Sequence, residues 1–342
     1  MAKLSFKPKQ ITKRLMGALR DRSLDVVASR FGLKTDAQRK TLEAIGQKYG
    51  ITRERVRQIE NAALNQIRKS EEFDSEHLIF EELRDIIHSL GSVVTEEELL
   101  AHFADDVAAQ NHVHFLLVLS DYFNLHKENE HFKSRWSTNS GILASVHEAL
   151  GSLYKSLKDD EIMSESDMIS KLLENIKEVN EEHRDEEIAK RWLQISKKIA
   201  PNPLNEWGKA NSKNVKVRGV KDYAFLVMRK HGNPMHFREV AEAITELFGK
   251  KTHPATTHNE LIKDGRFVLV GRGKYGLREW GYKPGVVKDV IREILEKYGP
   301  LTRDDVVDHV MKERFLKRNT ILVNLQNPEY FTRLEDGRYT TV

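Results

Sequence analysis

The chain contains no cysteine, which removes disulfides, thiolate zinc sites and cysteine nucleophiles at once. It has no apolar run near the ~18 residues that a membrane span requires. Its opening, MAKLSFKPKQITKR, is basic but has no apolar signal core behind it. A cytoplasmic protein is expected, with no membrane partner. No Ser/His/Asp arrangement can be assembled, and the carboxylates fall in runs such as TEEEL and NEEHRDEE. Such runs read as solvated helix faces and first turns, where the helix dipole favours them. The chain is therefore expected not to be an enzyme, and to use no cofactor and no small-molecule substrate.

Two weaker signals also fall away. His112, His114, His126 and His131 lie close in sequence. NHVHFLLVL reads as a helix, however, on which positions i and i+2 face apart, so no metal is expected. Gly271-Arg272-Gly273-Lys274-Tyr275-Gly276 is a literal G-x-G-x-x-G after the strand-like RFVLV. A dinucleotide fold needs a helix to start there, and LREWGYKPG reads instead as a short strand, making the run a hairpin turn. His253 and His258 flank PATT at a helix entry, where capping or a phosphate contact is the expected role.

What is present is charge, unevenly spread. The 342 residues are 39% hydrophobic and 32% charged, with a net charge of +4, as suits a soluble chain of several small domains. Residues 1–70 hold 17 Lys+Arg against 6 Asp+Glu, whereas residues 71–139 hold 4 against 15. The first segment is a candidate polyanion binder, and the second would repel a polyanion.

Within the basic segment, Leu42, Ile45 and Tyr49 recur at helical spacing. Gly50 stands where a left-handed turn residue is wanted, Ile51 fills the turn and Thr52 is an N-cap. Val56, Ile59, Ala63 and Ile67 then line the inner face of a second helix. This is the spacing of a helix-turn-helix, whose second helix enters the major groove by its N-terminal residues. Its outer face carries Arg53, Glu54, Arg57 and Gln58, with Arg55 beside them. Arg can bond guanine bidentately, Glu can accept from cytosine and Gln can bond adenine.

From Arg30 to Arg68, RFGLKTDAQRKTLEAIGQKYGITRERVRQIENAALNQIR resembles region 4 of primary bacterial sigma factors, through RFGL, TLEAIG and ITRERVRQIE. The resemblance implies a reader of double-stranded −35-like promoter DNA that docks on the flap of the RNA polymerase β subunit. It implies base contacts by Arg53, Glu54 and Gln58. For Arg55, Arg57 and Thr41 it implies phosphate contacts or positioning of the helix. Lys40, Thr52 and Asn61 complete the candidate DNA-binding set. A sigma factor also carries an upstream, aromatic-rich domain that opens the −10 element. Residues 1–70 have only Phe6, Phe31 and Tyr49 as aromatics. The chain is expected to lack that melting surface and not to start transcription with core polymerase alone.

Four later segments share a rhythm of three helices and a hairpin, the winged-helix plan. They are placed at 77–139, 141–218, 219–283 and 285–342, after a helix-turn-helix at 1–70. In the second of them the acidic stretch 159–187 leaves a helical linker open as the alternative. The third, through PMHFREV and DGRFVLVGRGKYGLREW, resembles the HARE-HTH domain, which occurs in the delta subunit of bacterial RNA polymerase, in chromatin proteins and beside restriction enzymes. Arg272 and Lys274 in its wing are secondary DNA-binding candidates. So are Lys317, Arg318, Asn319 and Thr320, where the third helix of the last segment begins, although that neutral segment is equally suited to protein docking. The 77–139 segment is expected to be a protein contact or a spacer.

The fold class expected is mostly α with small β wings. The function expected is a bacterial, nucleoid-associated transcription regulator, a sigma-like promoter reader in contact with RNA polymerase. Two alternatives stand beside it: a delta-like polymerase accessory subunit acting by protein contacts, and the DNA-binding component of a restriction or defence system.

Overall fold

The computed structural model describes residues 4–176 and 185–342. It divides into two compact units, Met1–Val215 and Lys216–Val342. The fold is mostly helical with small antiparallel sheets.

The first unit opens with five helices: α1 (Pro8–Met16), α2 (Asp21–Phe31), α3 (Leu42–Tyr49), α4 (Arg53–Arg68) and α5 (Glu71–Ser75). A winged helix follows, formed by α6 (His77–Ser89), β1 (Val93–Thr95), α7 (Glu96–Phe103), α8 (Val107–Leu119), β2 (Asn124–His126) and β3 (Arg135–Ser137). The same order recurs in α9 (Ser140–Ser156), β4 (Ile162–Met163), α10 (Glu165–Asn175), α11 (Glu186–Ile195), β5 (Ile199–Pro201) and β6 (Trp207–Lys209). In each sheet the last strand lies in the middle. The stretch 159–187 therefore holds a strand and two helix segments in winged-helix order rather than one helical linker, except that 177–184 lie outside the described residues.

The second unit repeats the plan twice. Its first copy is α12 (Val220–His231), β7 (Met235–His236), α13 (Phe237–Phe248), α14 (Pro254–Lys263), β8 (Phe267–Gly271) and β9 (Lys274–Leu277). Its second is α15 (Val287–Tyr298), α16 (Arg303–Glu313), α17 (Arg318–Leu325), β10 (Phe331–Arg333) and β11 (Tyr339–Thr341). In that last copy a single bridge, Leu301 to Tyr339, stands in for the first strand. The two copies are joined where the Phe315 amide donates to the Val270 carbonyl at 2.7 Å.

The acidic starts of the second helices have a local cause. Thr95, Ser164 and Thr302 are N-caps, whose hydroxyls accept from the amides of Glu98, Asp167 and Asp305. The carboxylates that follow sit in the first turn, at the positive end of the helix.

The core departs from the sequence reading. The helix-turn-helix has only a small core of its own, Val26, Ile45 and Val56, with Leu42, Tyr49, Ile51 and Ile59 partly buried around it. Ile51 is half-buried in the turn. Ala63 and Ile67 do not line this core. With Leu64 they join a larger one that includes Leu15 of α1, Val27 and Phe31 of α2, Leu83 and Ile87 of α6, and Val113, Phe115, Leu116 and Leu117 of α8. The physical reason is length: α4 has 16 residues. Its first two turns pack on α2 and α3, and its later turns need another apolar surface. The winged helix at 77–137 supplies it, and the basic and acidic segments share one interior.

Helix α8 is the centre of that interior. Val113, Phe115, Leu116, Leu117 and Leu119 are all fully buried, so this helix has no solvent face over its second half, as a core helix requires. Cutting the chain at residue 70 would expose one half of a shared core. A fragment of residues 1–70 should show no cooperative thermal transition by circular dichroism, whereas residues 1–215 should melt cooperatively. Leu116→Ala in the intact chain should cost about 2–5 kcal/mol, read from urea unfolding.

Candidate nucleic-acid interface

The reader is built from its caps. Thr41 Oγ1 accepts from the Ala44 amide at 3.1 Å, starting α3. Thr52 Oγ1 accepts from the Arg55 amide at 3.2 Å, starting α4. Between them Gly50 has φ +62°, the left-handed conformation a C-cap wants. Gly46 is required for another reason. A Cβ there would lie 2.6 Å from the Ile51 carbonyl oxygen, so only glycine lets the turn close on α3.

Behind this turn Val56 is fully buried, while Arg53, Glu54, Arg55, Arg57, Gln58 and Asn61 are all exposed. The structure thus brings every residue of the expected base-reading face to the surface of the first turns of α4. Four of them are paired along the helix. Arg57 donates to Glu54 at 3.0 and 2.7 Å, and Arg55 Nη1 donates to Gln58 Oε1 at 3.0 Å. The Arg57 hydrogen bonds hold the Glu54 carboxyl below its usual range. These pairs are solvated and therefore weak, so a phosphate or a base edge can replace them. Among the described residues, the Arg53 side chain makes no hydrogen bond or ion pair.

Thr41 and Thr52 spend their hydroxyls as caps, so their first role is to set the two helices. Lys40 is half-buried. Its amide donates to the Ser29 carbonyl at 2.9 Å and its carbonyl accepts from Arg30 Nη1 at 3.2 Å. Arg30 also approaches Glu60 of α4 at 3.5 Å. Burial raises the Glu60 carboxyl more than Arg30 lowers it.

Two positioning groups had no signal in a helix-turn-helix reading. Asn111 of α8 is buried, and its amide donates to the carbonyls of Gly32 (3.1 Å) and Ala37 (2.8 Å). Its oxygen accepts from Arg39 Nε at 2.6 Å. The acidic winged helix thereby clamps the connection between α2 and α3. Gly32 is forced: it has φ +66°, and a Cβ would lie 2.5 Å from Asn111 Nδ2. Asp25 of α2 is the second group. It binds Lys34 Nζ at 2.5 Å and Lys48 Nζ at 2.6 Å, and accepts from the Tyr49 hydroxyl.

The secondary candidates lie elsewhere. Arg272 is exposed in the turn between β8 and β9, where Gly273 has φ +70°. Lys274 lies 5.6 Å from the Phe315 ring centre. Lys317, Arg318, Asn319 and Thr320 are exposed at the start of α17, with Arg318 paired to Asp304. The G-x-G-x-x-G run is the turn and return strand of a hairpin, and no α-helix begins in it. His253 caps α14, its Nδ1 accepting from the Ala255 amide at 3.2 Å. His112 and His114 are both buried in α8. His126 lies 3.0 Å from Ser137 Oγ. Among the described residues no group of three His, Asp or Glu is placed to hold a metal, and no helix is long and apolar enough to cross a membrane.

Two family models match the chain. Residues 15–69 match Sigma-70, region 4, and residues 218–280 match HARE-HTH, the helix-turn-helix domain named in part for ASXL and restriction endonucleases. The chain is similar to the RNA polymerase principal sigma factor HrdD of Streptomyces griseus, 40% identical over 55 residues, which is 16% of each protein. It is also similar to the RNA polymerase sigma factor RpoD of Helicobacter pylori, 44% identical over 54 residues, which is 16% of this chain and 8% of that one. The chain thus spans under a fifth of the length of these relatives. The matches support a sigma-like, DNA-binding role connected with transcription.

The Asp25 cluster sets a pH dependence. Burial alone would raise its carboxyl, but hydrogen bonds from Lys34, Lys48 and Tyr49 outweigh that and hold it well below the usual carboxylate range. A depressed folded-state pKa contributes stability above the unfolded value, about 4, and that stability is lost as pH falls below it. The stability gap between the native chain and Asp25→Asn should be largest near neutrality and should narrow below about pH 4. Urea unfolding from pH 7 to 3 measures it.

Proposed function

We propose that this chain binds duplex DNA of −35-like promoter sequence through the first turns of α4, and regulates transcription from there beside RNA polymerase. The observation that carries the reading is the face formed by Arg53, Glu54, Arg55, Arg57, Gln58 and Asn61. It is exposed and backed by the buried Val56. In this reading Arg53, Glu54 and Gln58 read bases. Arg55 and Arg57 meet phosphates, and Lys40, Thr41 and Thr52 set the angle of entry. The chain acts by binding, with no chemistry of its own.

The apolar surfaces of α1 and of the second half of α4 are already covered by α6 and α8. A polymerase contact, to the β flap or elsewhere, therefore uses exposed polar residues or another unit. One observation favours a second reading, an accessory subunit working by protein contacts. Met311, Phe315 and Val323 in the electrically neutral last repeat are each more than half exposed.

Binding by the full chain should weaken steeply with salt. If about four phosphates are neutralised, log K against log[salt] should slope near −3 to −4. Arg53→Ala and Gln58→Ala should narrow the gap between specific and random DNA by about tenfold or more each. Lys40→Ala should weaken both alike. Fluorescence anisotropy on a genome-selected site and a scrambled site measures this. A flat salt response, or equal losses on both DNAs for all three variants, refutes base reading by α4.

A further inference from the structure

A cleft of about 600 Å³ lies between the N-terminal arm, the α2–α3 connection and the start of α8. Its apolar walls include Phe6, Leu33 and the buried Phe103. Lys7, Lys9 and Lys34 also line it, the first two exposed. His112 lines it as well. This histidine is 6% exposed, and its Nδ1 is buried with no hydrogen-bond partner among the described residues. A buried ring nitrogen without a partner is uncommon in a folded protein and needs a polar partner, which a water or a ligand can supply. Burial, with Lys9 acting in the same direction, holds the imidazole neutral at pH 7. It can then offer an N–H to an acceptor. Asp106 shares the lining, but its Oδ1 already accepts from the Ala109 amide at 2.8 Å.

We propose that this cleft is an effector site for a small amphipathic anion, a carboxylate carried on a hydrocarbon body. The body lies among Phe6, Leu33 and Phe103, and the carboxylate lies toward Lys9, Lys34 and His112. The location gives the site its consequence. Leu33 and Lys34 belong to the connection that Asn111 clamps at Gly32 and Ala37. Lys34 also shares Asp25 with Lys48 and Tyr49 of α3. An anion that draws on Lys34 alters the carboxylate that steadies the first helix of the reader. Binding is independent of the DNA-reading function proposed above, whereas its effect on DNA affinity rests on it.

The test is isothermal titration calorimetry on the full chain with octanoate, 1-octanol and octylammonium. Octanoate should bind saturably at one site, and the alcohol and the amine about tenfold or more weakly, the loss of a charge-assisted hydrogen bond. Ala109→Trp, which fills the cleft from α8, should abolish binding. His112→Leu, which removes both ring nitrogens and keeps an apolar side chain, should weaken it about tenfold. Amide hydrogen exchange over residues 33–40 should slow when octanoate is bound. No octanoate binding at millimolar concentration, equal binding of all three probes, or undiminished binding by both variants overturns the site. Binding without any change in exchange at 33–40 overturns its role as an effector site. DNA binding that fails while octanoate still binds counts against the promoter-reading function and leaves this site standing.

Discussion

The burial of α8 is the constraint on which the first unit depends. In a winged helix the third helix is the one expected to meet DNA, and here that helix has no free face over its second half. Phe115 meets Phe31 of α2 edge-on, with ring centroids 5.2 Å apart. Arg68 at the end of α4 donates to the carbonyls of Leu119 (2.8 Å) and Val118 (2.9 Å). These carbonyls are left unsatisfied by the helix end, and the guanidinium meets the negative end of the dipole. The winged helix at 77–137 has thus given its third helix to holding the helix-turn-helix. A similar use recurs one repeat on. Trp192 of α11 is buried against the first winged helix and donates to the Gly91 carbonyl at 3.1 Å. Gly91 has φ +100°, and a Cβ there would lie 2.5 Å from Ile188.

This division of labour accounts for the charge pattern. An acidic winged helix would be a poor DNA binder, and with its third helix buried it does not need to be one. Its carboxylates serve other ends. Some cap helices in the first turns, and others meet the arms of neighbouring segments, as in Arg14–Glu76 at 2.8 Å and Arg191–Glu98 at 3.0 Å. The first of these is solvated at its arginine and adds little stability. Opposite charge placed beside the reader also shortens the reach of its field, which screening already limits to about 10 Å.

Much of the reader was legible because its signals are local. Gly50 and Thr52 do in the structure what their residue types require at those positions. Buried Val56 behind exposed Arg53, Arg57 and Gln58 follows from helical periodicity alone. The wings were legible for the same reason, since a glycine-rich turn such as Arg272-Gly273 closes a hairpin whatever surrounds it. The partner of Ala63 and Ile67 was not legible. Periodicity says that a face is apolar and is silent on which surface covers it. Asn111 and Asp25 were hidden likewise. The partners of Asn111 stand 72 to 79 residues away and those of Asp25 9 to 24, and no helical periodicity encodes such pairs.

The RFGL motif shows how the two levels meet. Read alone, it marks a resemblance. In the fold each of its residues has a separate physical task. Arg30 ties the Lys40 carbonyl to Glu60 of α4, fixing the entry to α3 against the reading helix. Phe31 is the aromatic wedge into the shared core. Gly32 is the only residue that tolerates both the left-handed turn and the Asn111 amide. Leu33 lines the cleft beside α8. Three of these four tasks involve α8 or its surroundings. The motif that announces a DNA reader is therefore also the seam by which that reader is held, and a change in the acidic winged helix reaches α4 through it.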